Sequence, residues 1–335
     1  MLMLAQRLQK GDLIAIYSPS AAATVFAKER YARAKAFLEA KGYRIKEGSL
    51  THKRDFYRSG HIQERVDELN TLIRDPEVRC IMSTIGGMNS NSLLPYLDYE
   101  VIKKDPKIFI GYSDVTALLL GIYAKTGLTT YYGPAMVASF GEFPPYVEET
   151  FEYFHAIVSG ETPLPYTLPT PSYWTEEYID WTHQDRSKLG TPNKLITVHS
   201  GKHTGRLIGG NLNTMGGIWG SPYMPEIKAG DILLIEDSLK DIATLERNFA
   251  HLKVNGVFDI IGGLILGKHE LFKDMGTNRK PYELLLEVIG EPTFPILAEF
   301  DCAHTHPMLT LPIGCEVTLD ADKQELTIVG PMIET

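Results

Sequence analysis

Apolar residues recur along this chain in two rhythms. In the first 130 positions short unbroken apolar runs alternate with longer stretches whose apolar residues fall three or four apart. Leu13–Tyr17, Tyr43–Ile45, Cys80–Thr84 and Ile108–Ile110 are runs of the first kind and predict strands buried on both faces. Between them, Tyr31, Ala34, Phe37 and Leu38 form one stripe of a helix over 26–40, which Gly42 stops. Ile62, Val66, Leu69 and Ile73 form the stripe of a second helix. A short helix is expected over 92–97 and another over 115–124, ahead of Gly127. Strand alternating with helix predicts a parallel sheet covered on both faces, with its site at the carboxyl ends of the strands.

The rhythm breaks over 160–200, where Pro163, Pro165, Pro169, Pro171 and Pro192 crowd together. Trp174 and Trp181 lie inside this stretch, which reads as a connection. Each can pack the connection down or stack a flat ligand ring. Beyond it, Asp231–Asp237, Ile260–Gly267 and Pro295–Asp301 predict further strands, a helix is expected over 239–252, and 315–320 with 325–329 alternates as in a hairpin. The expected organisation is an N-terminal parallel-sheet α/β domain (1–165), a Trp-bearing connection (166–200) and a β-rich α/β C-terminal domain (201–335).

Composition narrows the function little. Of 335 residues 44% are hydrophobic and 22% charged, ordinary for a globular enzyme. A net charge of −9 with no basic run argues against a nucleic-acid polymer as partner. Cys80, Cys302 and Cys315 are widely spaced, with no Cys-x-x-Cys, so neither a disulfide framework nor a zinc ribbon is indicated. The first residues are too short and polar a stretch for a signal peptide, and no membrane-length apolar run follows. A reduced cytoplasm and a small-molecule substrate are the expectation.

Candidate chemistry sits at strand ends. Gly111-Tyr-Ser-Asp114 turns from a strand into a helix and lifts Ser113 as a nucleophile elbow does, although Val115 departs from G-x-S-x-G. Ser113 as a plain helix cap is the alternative. The Gly86-Gly87 turn ends the neighbouring strand and is either only a turn or a place where an N–H meets substrate. Glu236 and His304 follow apolar strands in the other half, so a Ser/His/Glu triad across a cleft is possible. The rival is a zinc site from His269, His304, His306 and a carboxylate, without an H-E-x-x-H helix to support it.

Gly111-Tyr-Ser-Asp-Val-Thr116, Leu234-Ile-Glu-Asp237 and His304-Thr-x-Pro-x-x-Thr-Leu-Pro-Ile-Gly314 resemble the LD-carboxypeptidase family of serine peptidases. That resemblance implies Ser113 as nucleophile, Glu236 as orienting acid, His304 as general base, and the N–H groups of Gly87 and Asp114 as oxyanion donors. It implies a homodimer by family habit. No cofactor is expected, and no metal, because each candidate His has a triad or packing role and no ligand spacing is met. Gly209-Gly-Asn-Leu-Asn-Thr214, Glu236-Asp-Ser-Leu-Lys240 and Trp174-Thr-Glu-Glu-x-Ile-Asp-Trp181 are similar to the microcin C7 self-immunity branch. Its members cleave the amide between an aminoacyl or peptidyl group and a nucleotide-like moiety. The branch implies that Trp181 stacks the base and that Asn213, Lys240 and Glu270 bind the nucleotide and its linker. Ala303 stands where glycine is common. A peptidoglycan-recycling LD-carboxypeptidase and a non-catalytic binding protein stay open as alternatives.

Overall fold

The computed structural model describes residues 2–335. Two sheets organise it. The first runs β1 (Leu13–Tyr17), β2 (Arg44–Glu47), β3 (Val78–Ser83), β4 (Ile108–Gly111) and β5 (Thr130–Tyr132), all parallel where paired, with β1 central between β2 and β3. Their side chains are almost wholly apolar and buried, except on the edge strand β2. The expected helix over 26–40 is present as Lys28–Ala40 after a single turn at Ala23–Phe26. The short helix over 92–97 is a 3₁₀ segment, Ser90–Tyr96, with Pro95 inside it.

The sixth strand of this sheet comes from far down the chain. Leu311–Ile313 pairs antiparallel with β5, Leu311 opposite Tyr132. The C-terminal half thus completes the N-terminal sheet. The last residues return as well: Glu334 N–H donates to Ala5 O at 2.9 Å, and Tyr131 Oη donates to Met332 O at 2.7 Å.

The second sheet has eight strands. Its middle, Lys202–Asn211, Ile232–Glu236, Gly263–Gly267 and Ile296–Phe300, is parallel, and Ile242–Val254 and Pro281–Ile289 supply its helices. The helix begins at Ile242 because the Asp241 carboxylate accepts the Thr244 N–H at 2.7 Å. Leu239, expected to be helical, is therefore left outside, exposed and at φ +58°. The hairpin Glu316–Asp320 with Glu325–Ile328 is antiparallel, as the alternation suggests. The proline-rich stretch is more than a connection. Its ends supply both edge strands of this sheet, Tyr166–Thr167 and Ile196–His199, and its middle a small hairpin of Tyr173–Trp174 with Thr191–Pro192. Among the described residues no helix is long and apolar enough to cross a membrane.

Gly209 shows how tightly the second sheet is packed under the site. It lies at φ +127° opposite Leu234, and a Cβ there would fall 2.0 Å from Leu234 O. Backbone cannot give way as a side-chain tip can. Gly209→Ala is therefore expected to cost at least about 3 kcal/mol, the upper range for strained backbone positions, read as a shift of the urea midpoint.

Candidate active site

The carboxyl ends of both sheets face one cleft of about 530 Å³. β4 delivers Ser113 to it. The residue sits at φ +62° in a single 3₁₀ turn, Ser113–Val115, ahead of the buried helix Thr116–Thr126. An L-residue adopts that conformation at a cost of order 1–3 kcal/mol, which persists only where surrounding structure imposes it. Ser113 does not cap the helix: Val115 is at the N-cap, with no side-chain bond there. The Ser113 N–H instead donates to Tyr132 Oη at 3.2 Å.

Tyr132, at the end of β5, connects this turn to the other half. Its hydroxyl donates to Glu236 Oε1, and Asn211 Nδ2 donates to the same oxygen at 3.0 Å. Oε2 of Glu236 accepts from His304 Nδ1 at 2.7 Å. Glu236 has no solvent exposure, so these three donors replace water completely. Burial alone would raise its pKa, but His304 and the two neutral donors outweigh that and hold it ionised below the usual range. His304 shows the partner effect: burial, the largest single influence, lowers it, but the Glu236 charge and hydrogen bond together with the Glu270 and Asp237 charges outweigh that, and the net shift is upward. Tyr112 packs edge-on against the ring at 5.0 Å. The loop carrying the imidazole is strained, with Ala303 at φ +60° and His304 at φ +55°. Ala303 thus occupies a left-handed position where glycine is at ease. His304 Nε2 makes no hydrogen bond among the described residues, and the ring lines the cleft together with Ser113.

β3 and β4 are adjacent, so the Gly86-Gly87 turn lies beside the Ser113 turn. A Cβ on Gly86 would sit 3.1 Å from both Asp114 N and Ser113 Cβ. A Cβ on Gly87, at φ +149°, would collide with Ser20 at 2.2 Å. The Gly86-Gly87 turn thus leaves little room for a side chain at Gly86 and none at Gly87, and comes close to the Ser113 turn. The Asp114 carboxylate ties them together by accepting from Asn89 N at 3.1 Å and Ser90 N at 3.0 Å. Neither the Gly87 nor the Asp114 N–H has a protein acceptor among the described residues, and both residues line the cleft.

The remaining candidates converge on the same cleft. Trp181 lines it, half-buried, held by the Arg30 guanidinium 4.6 Å from its ring and by Phe26. Trp174 does not line it and packs under the Lys268 ammonium instead. Asn213 and Lys240 line it too, both anchored on buried Asp237, which accepts from Asn213 N at 3.2 Å and faces Lys240 Nζ at 3.6 Å. The Glu270 carboxyl lines the cleft with its pKa raised by burial. His269 is outside the lining; its Nδ1–H donates to Gly267 O at 2.9 Å, and its Nε2 has no partner among the described residues. Among the described residues no three His, Cys, Asp or Glu side chains are arranged to hold a metal. Sequence reading assigned no role to Tyr132 or Asn211, and noted Asp237 only as a carboxylate at a strand end. Tyr132 and Asn211, at least, carried a signal, being polar residues at the carboxyl ends of buried strands.

The family profile described as the LD-carboxypeptidase N-terminal domain matches residues 14–133, and that of the LD-carboxypeptidase C-terminal domain matches 204–319. The chain belongs to the LD-carboxypeptidase family. A putative carboxypeptidase of Vibrio cholerae is 59% identical, over 96% of each chain. The microcin C7 self-immunity protein MccF of Escherichia coli is 53% identical, over 99% of this chain and 97% of its own length. A structure of the microcin C7 self-immunity protein MccF in complex with aspartyl sulfamoyl adenosine superposes with a TM-score of 0.97 at 53% identity, over 99% of this chain and 100% of that one. Membership makes this LD-carboxypeptidase-family protein an enzyme, a serine-type hydrolase.

Tyr132→Phe isolates the link between the two halves. It removes one donor to a buried carboxylate and strands the Ser113 N–H. A loss of about 1.5–3 kcal/mol is expected, the range for bonds to charged groups, measured by urea denaturation.

Proposed function

We propose that Ser113, His304 and Glu236 act as a nucleophile, general base and orienting acid in hydrolysis of an amide between an aminoacyl or peptidyl group and a nucleotide-like moiety. The observation that carries this is the 2.7 Å bond from His304 Nδ1 to a fully buried Glu236, in the cleft that also holds Ser113 and Trp181. That bond fixes the imidazole with Nε2 as its remaining nitrogen. Nε2 takes the Ser113 hydroxyl proton as Oγ attacks the carbonyl, then gives it to the leaving nitrogen. The N–H groups of Gly87 and Asp114 receive the oxyanion. Water then repeats the sequence on the acyl-enzyme. Trp181 stacks the base, while Asn213, Lys240 and Glu270 hold the nucleotide and its linker.

Support for the nucleotide comes from the relative solved with aspartyl sulfamoyl adenosine, and from a Trp181 ring held rigidly in the wall of the cleft. Removal of a terminal D-Ala from muropeptides is the second reading, favoured by the family to which both halves belong. The reading includes a cytoplasmic protein that uses neither metal nor cofactor, and a homodimer, as the family resemblance implies.

Ser113→Ala is expected to lower turnover by about 10⁴–10⁶-fold with the fold intact; near-normal turnover would dismiss the triad. The acid limb of the pH–rate profile is expected to have its midpoint above the ordinary histidine value of 6.5, because the base must be neutral and Glu236 favours the charged ring. Glu236→Gln should move that midpoint down as well as reduce the rate.

Trp181→Ala should cost about 5–150-fold in kcat/KM toward a nucleotide-linked substrate, equivalent to roughly 1–3 kcal/mol of stacking. The loss should be much smaller toward a peptide with no base. Equal losses on both substrates would favour the muropeptide reading.

A further inference from the structure

On the wall of the cleft that bears Trp181 lies a charged cluster that the proposed triad and nucleotide contacts leave unused. Its centre is the Glu142 carboxylate, with no side-chain exposure. Arg30 Nη2 binds Glu142 Oε2 at 3.0 Å, and the Phe143 N–H and the Gln184 amide donate to Oε1. Arg30 and Glu142 therefore cancel as a close buried pair. Lys188 Nζ and His306 Nε2 each stand 3.8 Å from that same Oε2, beyond hydrogen-bond reach.

Both of these residues line the cleft. Lys188 is 8% exposed, and its ammonium donates no hydrogen bond among the described residues. His306 is 5% exposed, and its Nδ1 is a buried polar atom with no partner. Burial and the neighbouring Lys188 keep this imidazole neutral, with its pKa lowered to about 3. The cluster thus sets Arg30 and Lys188 against Glu142, with the Glu270 and Glu177 charges acting on Lys188 from farther off, and the Lys188 side chain lines the substrate cavity. A buried ammonium without hydrogen bonds is costly, and a ligand oxygen bearing negative charge would relieve it.

We propose that Lys188 and His306 form an anion-recognition subsite in the cleft wall, which takes a negatively charged group of the substrate. Lys188 supplies the charge. His306 borders the same subsite as a neutral imidazole. The proposal rests on the functional reading above, and within it two groups carry the required chemistry: a carboxylate on the acyl portion, or the sulfamoyl or phosphoryl linker. Lys240 lines the same cleft against Asp237 and Lys188 lines it against Glu142, so the two lysines stand on different carboxylates.

The test is steady-state hydrolysis by the wild-type enzyme, Lys188→Met and Lys188→Arg of three substrates: aspartyl sulfamoyl adenosine, asparaginyl sulfamoyl adenosine and neutral p-nitrophenyl acetate. Lys188→Met is expected to lose about 10–100-fold in kcat/KM, mainly through KM, on a substrate carrying the recognised anion, the range for a charge-assisted hydrogen bond. Lys188→Arg should retain most of it. A loss confined to the aspartyl substrate identifies the acyl carboxylate. A loss shared by both nucleotides but smaller on the ester identifies the linker. Equal losses on all three, or none, overturn the proposal and leave Lys188 a counter-ion of Glu142. Lys188→Gln replaces the Met variant should that one not fold. If wild-type enzyme cleaves neither nucleotide, the functional reading has failed by itself. The subsite is then tested on a muropeptide ending in D-Ala against its C-terminal amide, where an unchanged preference in Lys188→Met overturns it.

Discussion

A carboxylate sealed from water must be met by donors, and Glu236 recruits them from three distant parts of the chain. Tyr132 comes from the N-terminal sheet, Asn211 from the neighbouring strand of its own sheet, and His304 from the loop after the next-but-one strand. Removing one donor from such a group costs about 1.5–3 kcal/mol, because the charge stays buried. The requirement therefore fixes the relation of the two halves at the point where Ser113 and His304 approach the same cavity. Tyr132 serves twice, since the hydroxyl that satisfies Glu236 also accepts the N–H of Ser113. Local strain at Ser113, Ala303 and His304 fits this frame: three left-handed residues are held where they are because stronger bonds around them permit no other course.

Much of this was legible in the chain. Buried parallel strands announce themselves as unbroken apolar runs, and Gly42 and Gly127 end their helices by a local mechanism, so β1 to β4 and the following helices lie close to where the pattern puts them. The candidate residues were legible because polar side chains are rare at the ends of such runs. What stayed hidden depends on partners far away in sequence. Leu311–Ile313 has only three residues and a central proline, which reads as a turn; it is a strand because β5 offers an edge. The edge strands inside the proline-rich stretch are of the same kind. Lys188 is hidden for another reason: its meaning lies in Glu142 being already occupied by Arg30, 112 positions away.

Strand Leu311–Ile313 also has a consequence for the order in which the molecule is made. Until it emerges, β5 presents an open edge, and the Tyr132 hydroxyl has no Glu236 to bind. A nascent chain carrying the whole N-terminal sheet therefore has Ser113 without the contacts that shape its turn. The cleft is completed late in synthesis, when the segment from His304 to Ile313 brings in the imidazole that meets Glu236 and the missing strand together. A lone N-terminal half is for the same reason not a smaller version of this enzyme but an unfinished sheet.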